Sequence, residues 1–324
     1  MVIEHARAHA LPKPWGVRDL RPWSDARRDG DDDGTIGEIR YERPAKAPAD
    51  SSLLLKLLFT NQPLSIQVHP DDAFAHEMGL PRGKTEAWYI LSAAPGAKVA
   101  LGLDQRLTRP QLREAAGDGS IAGLVRWQTV SADDVVVVPA GTIHAIGAGL
   151  VIAEIQQRSD ATFRLFDHGR RRELHVEQAI AAADAGPFDL RVAPKQISDA
   201  RTLLVSNPHF VFERLDLAAN SAWRLEAERE TWLLVVSGGA RVGSFDLKTG
   251  DAVFAQSDEA DIHAGTAGMV GLVAYTGVGP VANLLRELSE PPSVTAARRH
   301  AAPAPIPPPR ATAALPGTRL ETSK

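Results

Sequence analysis

The chain has 324 residues, of which 44% are apolar and none is cysteine. It can therefore bury a substantial core, but any transition-metal site must use His, carboxylate or amide oxygen ligands. The 36 basic and 40 acidic residues give a formal charge of −4, which excludes the basic field that a nucleic-acid surface needs.

The apolar runs are short. The first 14 residues contain His and Arg but no continuous apolar stretch of the kind that a secretion signal has. The run from Leu53 to Phe59 is far below membrane-spanning length. The sequence therefore predicts a cytoplasmic protein with no membrane partner and no nucleic-acid partner.

Most apolar runs are rich in Val, Ile and Leu and end at Gly, Pro, Asp or Asn, which is typical of strands. In the first two-thirds of the chain, strands are predicted at 53–59, 64–69, 85–92, 98–103, 135–139, 150–156 and 162–166. Three helices are predicted: one from Asp71 or Asp72 to Met78, one from Arg109 to Ala116 with Thr108 as cap, and one from His175 to Ala183.

After a connector at 186–194, a second series of strands is predicted at 209–217, 231–236, 239–245, 252–255 and 269–275, with turns at 237–239 and 248–251. The pattern indicates an all-β protein with a few short helices, arranged as sandwiches or barrels. Residues 1–185 would form an N-terminal metal-binding barrel and residues 195–290 a smaller one. Residues 291–324 are rich in Pro and Ala, and we expect them to form a disordered tail.

Four metal-competent side chains stand at the ends of predicted strands, each beside a Gly or Pro turn. Gln67 and His69 are two residues apart on one strand, so they project from the same face. Glu86 opens the next strong strand, and His144 follows a buried Val run and a glycine turn. Each residue alone is weak evidence, since a lone His beside Pro is more often a turn or core residue. Together the four predict a metal site with room for water or substrate, as catalytic zinc requires.

Several longer strings resemble the type I phosphomannose isomerases, most closely their short bacterial form. The strings are LLLKLLFTNQPLSIQVHPDD, GKTEAWYIL, VPAGTIHAIGAGLVIAEIQQRSDATFRLFD and RRELHVEQAI, preceded by PWG at 14–16 and IGE at 36–38. They occur in the order found in that family and cover about residues 12–183. The resemblance implies tandem cupin-like barrels and Zn²⁺ held by Gln67, His69, Glu86 and His144.

The resemblance also implies roles for residues around the metal. Arg164 and Lys84 match active-site positions of the family, where they would act on the sugar oxygens. Lys56 and Ser65 match positions that meet the substrate phosphate, and Arg170 stands where longer relatives carry a lysine. Phosphate binding by Arg or Lys with hydroxyl donors is chemically reasonable. We add Glu154 as a candidate for proton handling.

Ordinary structural interpretations of three of these residues stay open at this point. Lys56 interrupts an apolar strand and could occupy a solvent-facing edge position. Arg164 alternates with Phe163 and Leu165, so it could lie on an outer strand face. Glu154 could point into the barrel or form a structural ion pair.

The function expected from these observations is the interconversion of mannose 6-phosphate and fructose 6-phosphate through an enediol, with a small phosphosugar as the only expected partner. Two alternatives remain. One is a different metal-dependent cupin enzyme, such as an oxygenase or decarboxylase, which would prefer more histidines in the site. The other is a non-catalytic sugar-phosphate-binding protein that has kept the pocket.

Overall fold

A computed structural model of the chain describes residues 2–25, 34–44, 51–188 and 192–288. Most of the described residues lie in strands, which confirms the prediction of an all-β protein with a few short helices. Within the described residues, no helix is long and apolar enough to cross a membrane. The predicted disordered tail, 291–324, lies outside the described residues.

The elements of the first half are β1 (Val2–His5), β2 (Arg7–Val17), β3 (Ile36–Glu42), β4 (Leu53–Thr60), β5 (Ile66–Val68), α1 (Asp72–Glu77), β6 (Glu86–Ala93), β7 (Lys98–Leu103), α2 (Arg109–Asp118), β8 (Val125–Thr129), β9 (Val135–Val138), β10 (His144–Ile146), β11 (Leu150–Gln157), β12 (Phe163–Phe166) and α3 (Val176–Ala182). Those of the second half are β13 (Lys195–Ser198), β14 (Arg201–Ser206), β15 (Phe210–Leu217), β16 (Ala222–Ala227), β17 (Thr231–Val242), β18 (Phe245–Lys248), β19 (Ala252–Gln256), β20 (Asp258–Thr276) and β21 (Leu285–Glu287).

Two antiparallel sheets build the first half. One has the strand order β2-β3-β4-β11-β6-β9, and the other has the order β12-β5-β10-β7-β8. An apolar cluster joins them, with Leu58 and Trp88 from the six-stranded sheet and Val99 and Ile146 from the five-stranded sheet. The two sheets therefore pack face to face around a shared interior.

Strand alternation divides the residues of the six-stranded sheet between its two faces. Leu55 and Leu57 of β4 pack in one cluster with Phe212 and Trp232 of the second half. The residues between them, such as Lys56, face the interior shared with the five-stranded sheet. Because both faces are covered, all eight residues of β4 are buried, which explains why this strand has a nearly continuous apolar sequence.

Helices cover the outer face of the five-stranded sheet. Leu112 and Ala115 of α2 and Ile180 of α3 pack in one cluster with Ile66 and Val68 of β5. Helix α2 begins at the predicted cap, where the Thr108 side chain and Gln111 form a capping box. Strand β5, which precedes His69, is thus held from behind by packed helices.

The second half is a ten-stranded sheet whose strands enclose their own apolar cluster, which includes Val211, Leu233 and Ile262. The N-terminal strand β1 pairs with β19 of this sheet rather than with a strand of the first half. The division into an N-terminal barrel at 1–185 and a smaller barrel at 195–290 stays a prediction.

One local prediction is wrong and one strand was missed, each for an identifiable reason. The turn expected at 237–239 is a β-bulge inside the long strand β17, where the register with β20 shifts and Gly238 has φ +72°. Strand β2 was not predicted because it contains Pro12 and Pro14. It lies at the edge of the six-stranded sheet, where proline is tolerated.

The buried carboxylate of Glu230 fastens the second half to the start of β4. It accepts hydrogen bonds from Ser51 Oγ and Ser52 N, both at 2.5 Å, from Leu53 N at 2.9 Å and from Trp232 Nε1 at 3.1 Å. Only 4% of Glu230 is exposed. Backbone N–H groups that would otherwise be buried without a partner therefore depend on one side chain.

We predict that Glu230→Ala lowers the free energy of unfolding by about 3 kcal/mol, because several hydrogen bonds to a charged group are lost in a buried place. Glu230→Gln should cost less, since its amide oxygen keeps part of the network. Glu228→Ala, at an exposed site, is the control, with an expected change within about 0.5 kcal/mol. Urea unfolding of the three variants measures this, and equal stability of Glu230→Ala and wild type would contradict the role.

Candidate metal centre and its cavity

The structure brings the four predicted metal ligands together between the two sheets of the first half. Gln67 of β5 and His144 of β10 are direct partners in the five-stranded sheet, His69 follows β5, and Glu86 opens β6 in the facing sheet. One ligand atom each from His69, Glu86 and His144 lies within 4.8 Å of the others. Residues far apart in sequence therefore present their donor atoms to one point.

Backbone carbonyls orient both histidines. His69 Nδ1 lies 2.8 Å from Ala161 O, and His144 Nδ1 lies 2.9 Å from Thr142 O. Since a carbonyl can only accept, Nδ1 carries the proton on each ring and Nε2 carries a lone pair. The two Nε2 atoms face Glu86, at 3.4 Å and 3.5 Å from its carboxylate oxygens. Metal-ligating histidines usually have such a carbonyl partner on the ring nitrogen that does not bind the metal.

Burial keeps the histidine rings neutral. Together with the nearby Lys84 ammonium, burial lowers the pKa of His69 to about 3. Burial likewise lowers the pKa of His144, against the opposing effect of Glu86. Both rings are therefore free to donate a nitrogen lone pair at neutral pH, as a metal ligand must.

Ser65 fixes the side chain of Gln67. Its hydroxyl donates to Gln67 Oε1 at 2.9 Å, while Gln67 Nε2 lies 3.2 Å from His144 Nε2. A half-turn of the amide would let Nε2 donate to Ser65 Oγ and turn Oε1 toward the histidines. Ser65 is 2% exposed and lies behind the amide, so its contact in the structure is with a metal-ligand candidate.

Lys84 lies in contact with two of the donor atoms. Its ammonium is 2.6 Å from Glu86 Oε2 and 2.9 Å from His69 Nε2. Burial alone would raise the pKa of Glu86, but Lys84 and His69 hold it well below its ordinary value. Burial would likewise lower the pKa of Lys84, but Glu86 and Glu154 raise it. His69 Nε2 and Glu86 Oε2 thus already accept the positive charge of the Lys84 ammonium. The same lone pairs are suited to a divalent metal ion.

A cavity of about 390 Å³ opens beside this cluster, which is within the usual range for small-molecule sites. The predicted site residues that line it are Lys56, Gln67, Lys84, Glu86, Glu154 and Arg164. Its other lining residues include Trp15, Glu38, Arg40, Arg172 and His175. The metal cluster and the cavity therefore form one site.

Lys56 and Glu154 are neighbours on the inner face of the six-stranded sheet. Lys56 donates to Glu154 Oε1 at 2.9 Å and to Gln156 Oε1 at 2.6 Å, and Trp88 Nε1 donates to Glu154 Oε2 at 3.2 Å. Strand β4 lies between β3 and β11, so Lys56 is not at a sheet edge. Glu154 both points inward and forms an ion pair.

Arg164 faces the cavity, and its guanidinium has no carboxylate partner among the described residues. It is the direct partner of Gln67 in the five-stranded sheet, and its guanidinium makes a 3.5 Å contact with Glu173 O. Burial and the nearby Arg172 both lower the pKa of Arg164. Arg164 therefore lies on the inner face of its strand, and the alternative of an outer-face position is excluded.

Unsatisfied donors concentrate at this cavity. Within the described part of the chain, five buried side-chain polar atoms lack a hydrogen-bond partner. Three of them, Trp15 Nε1, Arg40 Nε and Arg164 Nε, belong to residues that line the cavity. All three are N–H groups, so residues of the cavity wall carry donors that no acceptor of the described residues uses.

Arg170, which was predicted to bind phosphate, does not line the cavity. It donates to Asp167 Oδ1 at 3.1 Å and to Pro63 O at 2.7 Å. Arg172, two residues later, lines the cavity instead. Sequence reasoning missed Arg172 and also His175, which directly precedes α3.

The motifs PWG and IGE supply a wall of the cavity that sequence reasoning left without a role. Trp15 and Glu38 come from these two motifs. A Cβ added to Gly16 would lie 2.5 Å from the backbone of Ile36, and one added to Gly37 would lie 2.9 Å from Trp15 Nε1. The two glycines therefore allow β2 and β3 to approach closely enough to set Trp15 in the wall.

Comparison with known proteins gives a consistent family. No family model matches the chain. It is 39% identical over 176 residues to the mannose-6-phosphate isomerase of Streptococcus mutans. The aligned region is 52% of this chain and 55% of that relative. It is 34% identical over 216 residues to mannose-6-phosphate isomerase ManA of Bacillus subtilis, which covers 61% of the chain and 67% of that relative.

The fold agrees with a solved structure. The crystal structure of the mannose 6-phosphate isomerase from Bacillus subtilis matches with a TM-score of 0.73 at 23% sequence identity, over 85% of this chain and 100% of that chain. The first relative is matched over little more than half its length, whereas the match to ManA spans two thirds of it. By the extent and identity of that match, the chain belongs to the mannose-6-phosphate isomerase family.

Proposed function

We propose that this chain is a zinc-dependent aldose–ketose isomerase that interconverts mannose 6-phosphate and fructose 6-phosphate. The observation that carries the proposal is that Glu86, which clusters with His69 and His144, lines a cavity whose wall also carries the N–H donors of Lys84, Arg164 and Arg172. A phosphosugar presents hydroxyl and phosphate oxygens, which such donors suit. Family membership supports the same reaction. A cytoplasmic location stays a prediction from the sequence.

Zinc is the metal that the donor set favours. Two imidazole nitrogens, one carboxylate and one amide oxygen, with no cysteine in the chain, form a set of borderline ligands that Zn²⁺ accepts. Gln67, His69, Glu86 and His144 would hold the ion. When bound, it would polarise the sugar oxygens and offset negative charge that develops on them.

The reaction moves one proton between C2 and C1 of the open-chain sugar. A base removes the C2 proton, the O1 carbonyl takes up a proton, and an enediol results. Loss of the O2 proton and protonation at C1 then give the ketose. We assign the proton transfer at carbon to Glu154, whose carboxylate is oriented by Lys56 and Trp88 on opposite oxygens.

Arg164 and Lys84 would stabilise negative charge on O1 and O2. Both are cations on the cavity wall, and Lys84 is buried, where a charge acts more strongly than in water. Phosphate binding by Lys56, Ser65 and Arg170 stays a prediction from the resemblance. The contacts of all three are with other protein groups: Glu154, Gln67 and Asp167.

We predict that His144→Ala and chelator-treated wild type lose at least about a hundredfold in turnover, because the charge-stabilising ion is lost. The measurement is a coupled assay of fructose 6-phosphate formation from mannose 6-phosphate, with metal content and circular dichroism recorded for each sample. His263→Ala, at an exposed site of the second half, is the control and should retain activity. Equal turnover of chelated and zinc-loaded protein would defeat the proposal.

Ser65→Ala should weaken Zn²⁺ binding by about 10-fold to 100-fold, because Gln67 loses the partner that orients its amide. Competition with a chromogenic chelator measures the affinity. Ser131→Ala, at an exposed turn, is the matched control and should bind zinc like wild type. If the two variants bind zinc equally well, Ser65 does not support the metal site.

Arg164→Ala should lower kcat/KM for mannose 6-phosphate by about 10²-fold to 10³-fold, as loss of a donor to a developing oxyanion does. Arg164→Lys keeps the charge but not the planar fork, so we expect a smaller loss, about tenfold. Steady-state kinetics with the zinc-loaded variants decide, with exposed Arg109→Ala as control. Wild-type kinetics in Arg164→Ala would remove this residue from the mechanism.

A further inference from the structure

We propose that Arg172, rather than Arg170, binds the phosphate group of the substrate, and that Asp167 and Trp15 hold it in place for this purpose. The assignment rests on the proposed function, because it concerns the same cavity and the same phosphosugar. It identifies a specificity residue, one that would make the cavity prefer a phosphorylated sugar to a free one.

Asp167 and Trp15 fix the guanidinium of Arg172. Its Nε donates to Asp167 Oδ2 at 2.7 Å and its Nη2 to Asp167 Oδ1 at 2.5 Å, a bidentate pair that leaves one planar orientation. Its central carbon lies 4.8 Å from the centre of the Trp15 ring, within the range of a cation–π contact. The Asp167 side chain is 1% exposed, so the anchor is buried.

One end of Arg172 remains available. In the described ranges, no acceptor is recorded for Nη1, and 27% of the side chain is exposed. Arg172 also lines the cavity beside Trp15 and Arg164. A preorganised guanidinium with free N–H groups on a cavity wall is suited to a phosphate oxygen, because its orientation is fixed before the ligand arrives.

The hydrogen bonds of Arg170 are made to other groups of the protein. It donates to the same Asp167 and to Pro63 O, and its central carbon is 5.8 Å from the Trp15 ring. Its side chain is 16% exposed, against 27% for Arg172. The two arginines thus share one carboxylate, with one tying down the loop around Pro63 and the other facing the cavity.

The charges at this end of the cavity suit a phosphate. Asp167 offsets one of the charges of Arg170 and Arg172, and Arg164 has no carboxylate at ion-pair distance among the described residues. Two positive charges remain, while a phosphate monoester carries about −1.5 to −2 at neutral pH. By contrast, Lys56 and Lys84 are each paired with a buried carboxylate, Glu154 and Glu86. The excess positive charge therefore lies with Arg164 and Arg172.

The test compares Arg172→Ala, Arg172→Lys and Arg170→Ala, with exposed Arg171→Ala as the matched control. For each zinc-loaded variant, kcat and KM for mannose 6-phosphate and the inhibition constant for inorganic phosphate are measured. We expect Arg172→Ala to raise KM and the phosphate inhibition constant by about 10-fold to 100-fold, the effect of losing a hydrogen bond to a charged group. Its kcat should stay within about threefold of wild type.

The other variants separate binding from folding. Arg172→Lys should recover part of the loss in KM, since it restores the charge without the fork. Arg170→Ala, which takes one partner from the same Asp167, should raise KM by less than about threefold, and Arg171→Ala should match wild type. Equal KM for Arg172→Ala and wild type, a fall in kcat with KM unchanged, or a larger KM effect in Arg170→Ala would each overturn the assignment.

Failure of the proposed function gives a different result. In that case wild type shows no isomerisation, so the inhibition constant for phosphate cannot be measured. Titration calorimetry of inorganic phosphate into wild type and Arg172→Ala then tests the subsite alone: binding to wild type that weakens tenfold or more in Arg172→Ala supports it. Equal affinity for both proteins, or no phosphate binding to wild type, overturns it.

Discussion

Both faces of the central strands of the six-stranded sheet are covered by other parts of the protein, and this constraint governs the site. Apolar layers cover both sides of β4, β6 and β11, so Lys56, Glu86 and Glu154 are buried. A buried charge is costly unless it is paired and hydrogen-bonded. Lys56 pairs with Glu154, and Lys84 pairs with Glu86. The buried side of the site therefore consists of these two matched ion pairs in a low-dielectric interior, where each charge acts more strongly than in water.

Ion pairing also divides the cationic residues of the cavity into two groups, the paired lysines and the arginines with unused donors. The two lysines are engaged by carboxylates at the metal side of the cavity, whereas Arg164 and one end of Arg172 keep unused donors. A ligand with a dianionic end and a hydroxyl-bearing body matches this asymmetry. Arginine is the better choice at the open positions, because it stays protonated there and its fork keeps its orientation without a second partner.

Much of the fold and the metal cluster follows from local sequence. Continuous Val, Ile and Leu runs marked the strands that are covered on both faces, such as β4 and β9, and Asp71 caps α1 as its residue type suggests. Gln67 and Glu86 could be found because each begins or continues a strand whose facing is set by alternation. Such signals depend only on neighbours in the chain.

The cavity wall could not be found in this way, because it depends on contacts between distant segments. Trp15 lies in the wall only because Gly16 and Gly37 let β2 and β3 approach each other closely. The pattern of apolar residues in the sequence does not indicate this approach. Likewise, the loop after β12 has no regular spacing. Only the contacts of Asp167 and Pro63 determine which of its arginines turns toward the cavity. The family resemblance carried over residue types at matched positions but not the direction of each side chain.

The second half serves the site without entering it. Within the described residues, its own strands enclose an apolar cluster, and every lining residue of the cavity beside His69, Glu86 and His144 comes from the first half. Its contacts fall on the back of the six-stranded sheet: Glu230 holds the start of β4, and Arg214 donates to Tyr89 of β6 at 2.7 Å. A sheet fastened along its back cannot easily shift relative to the five-stranded sheet that it faces. The second half thus keeps the charges on the inner face in fixed positions, which electrostatic catalysis requires.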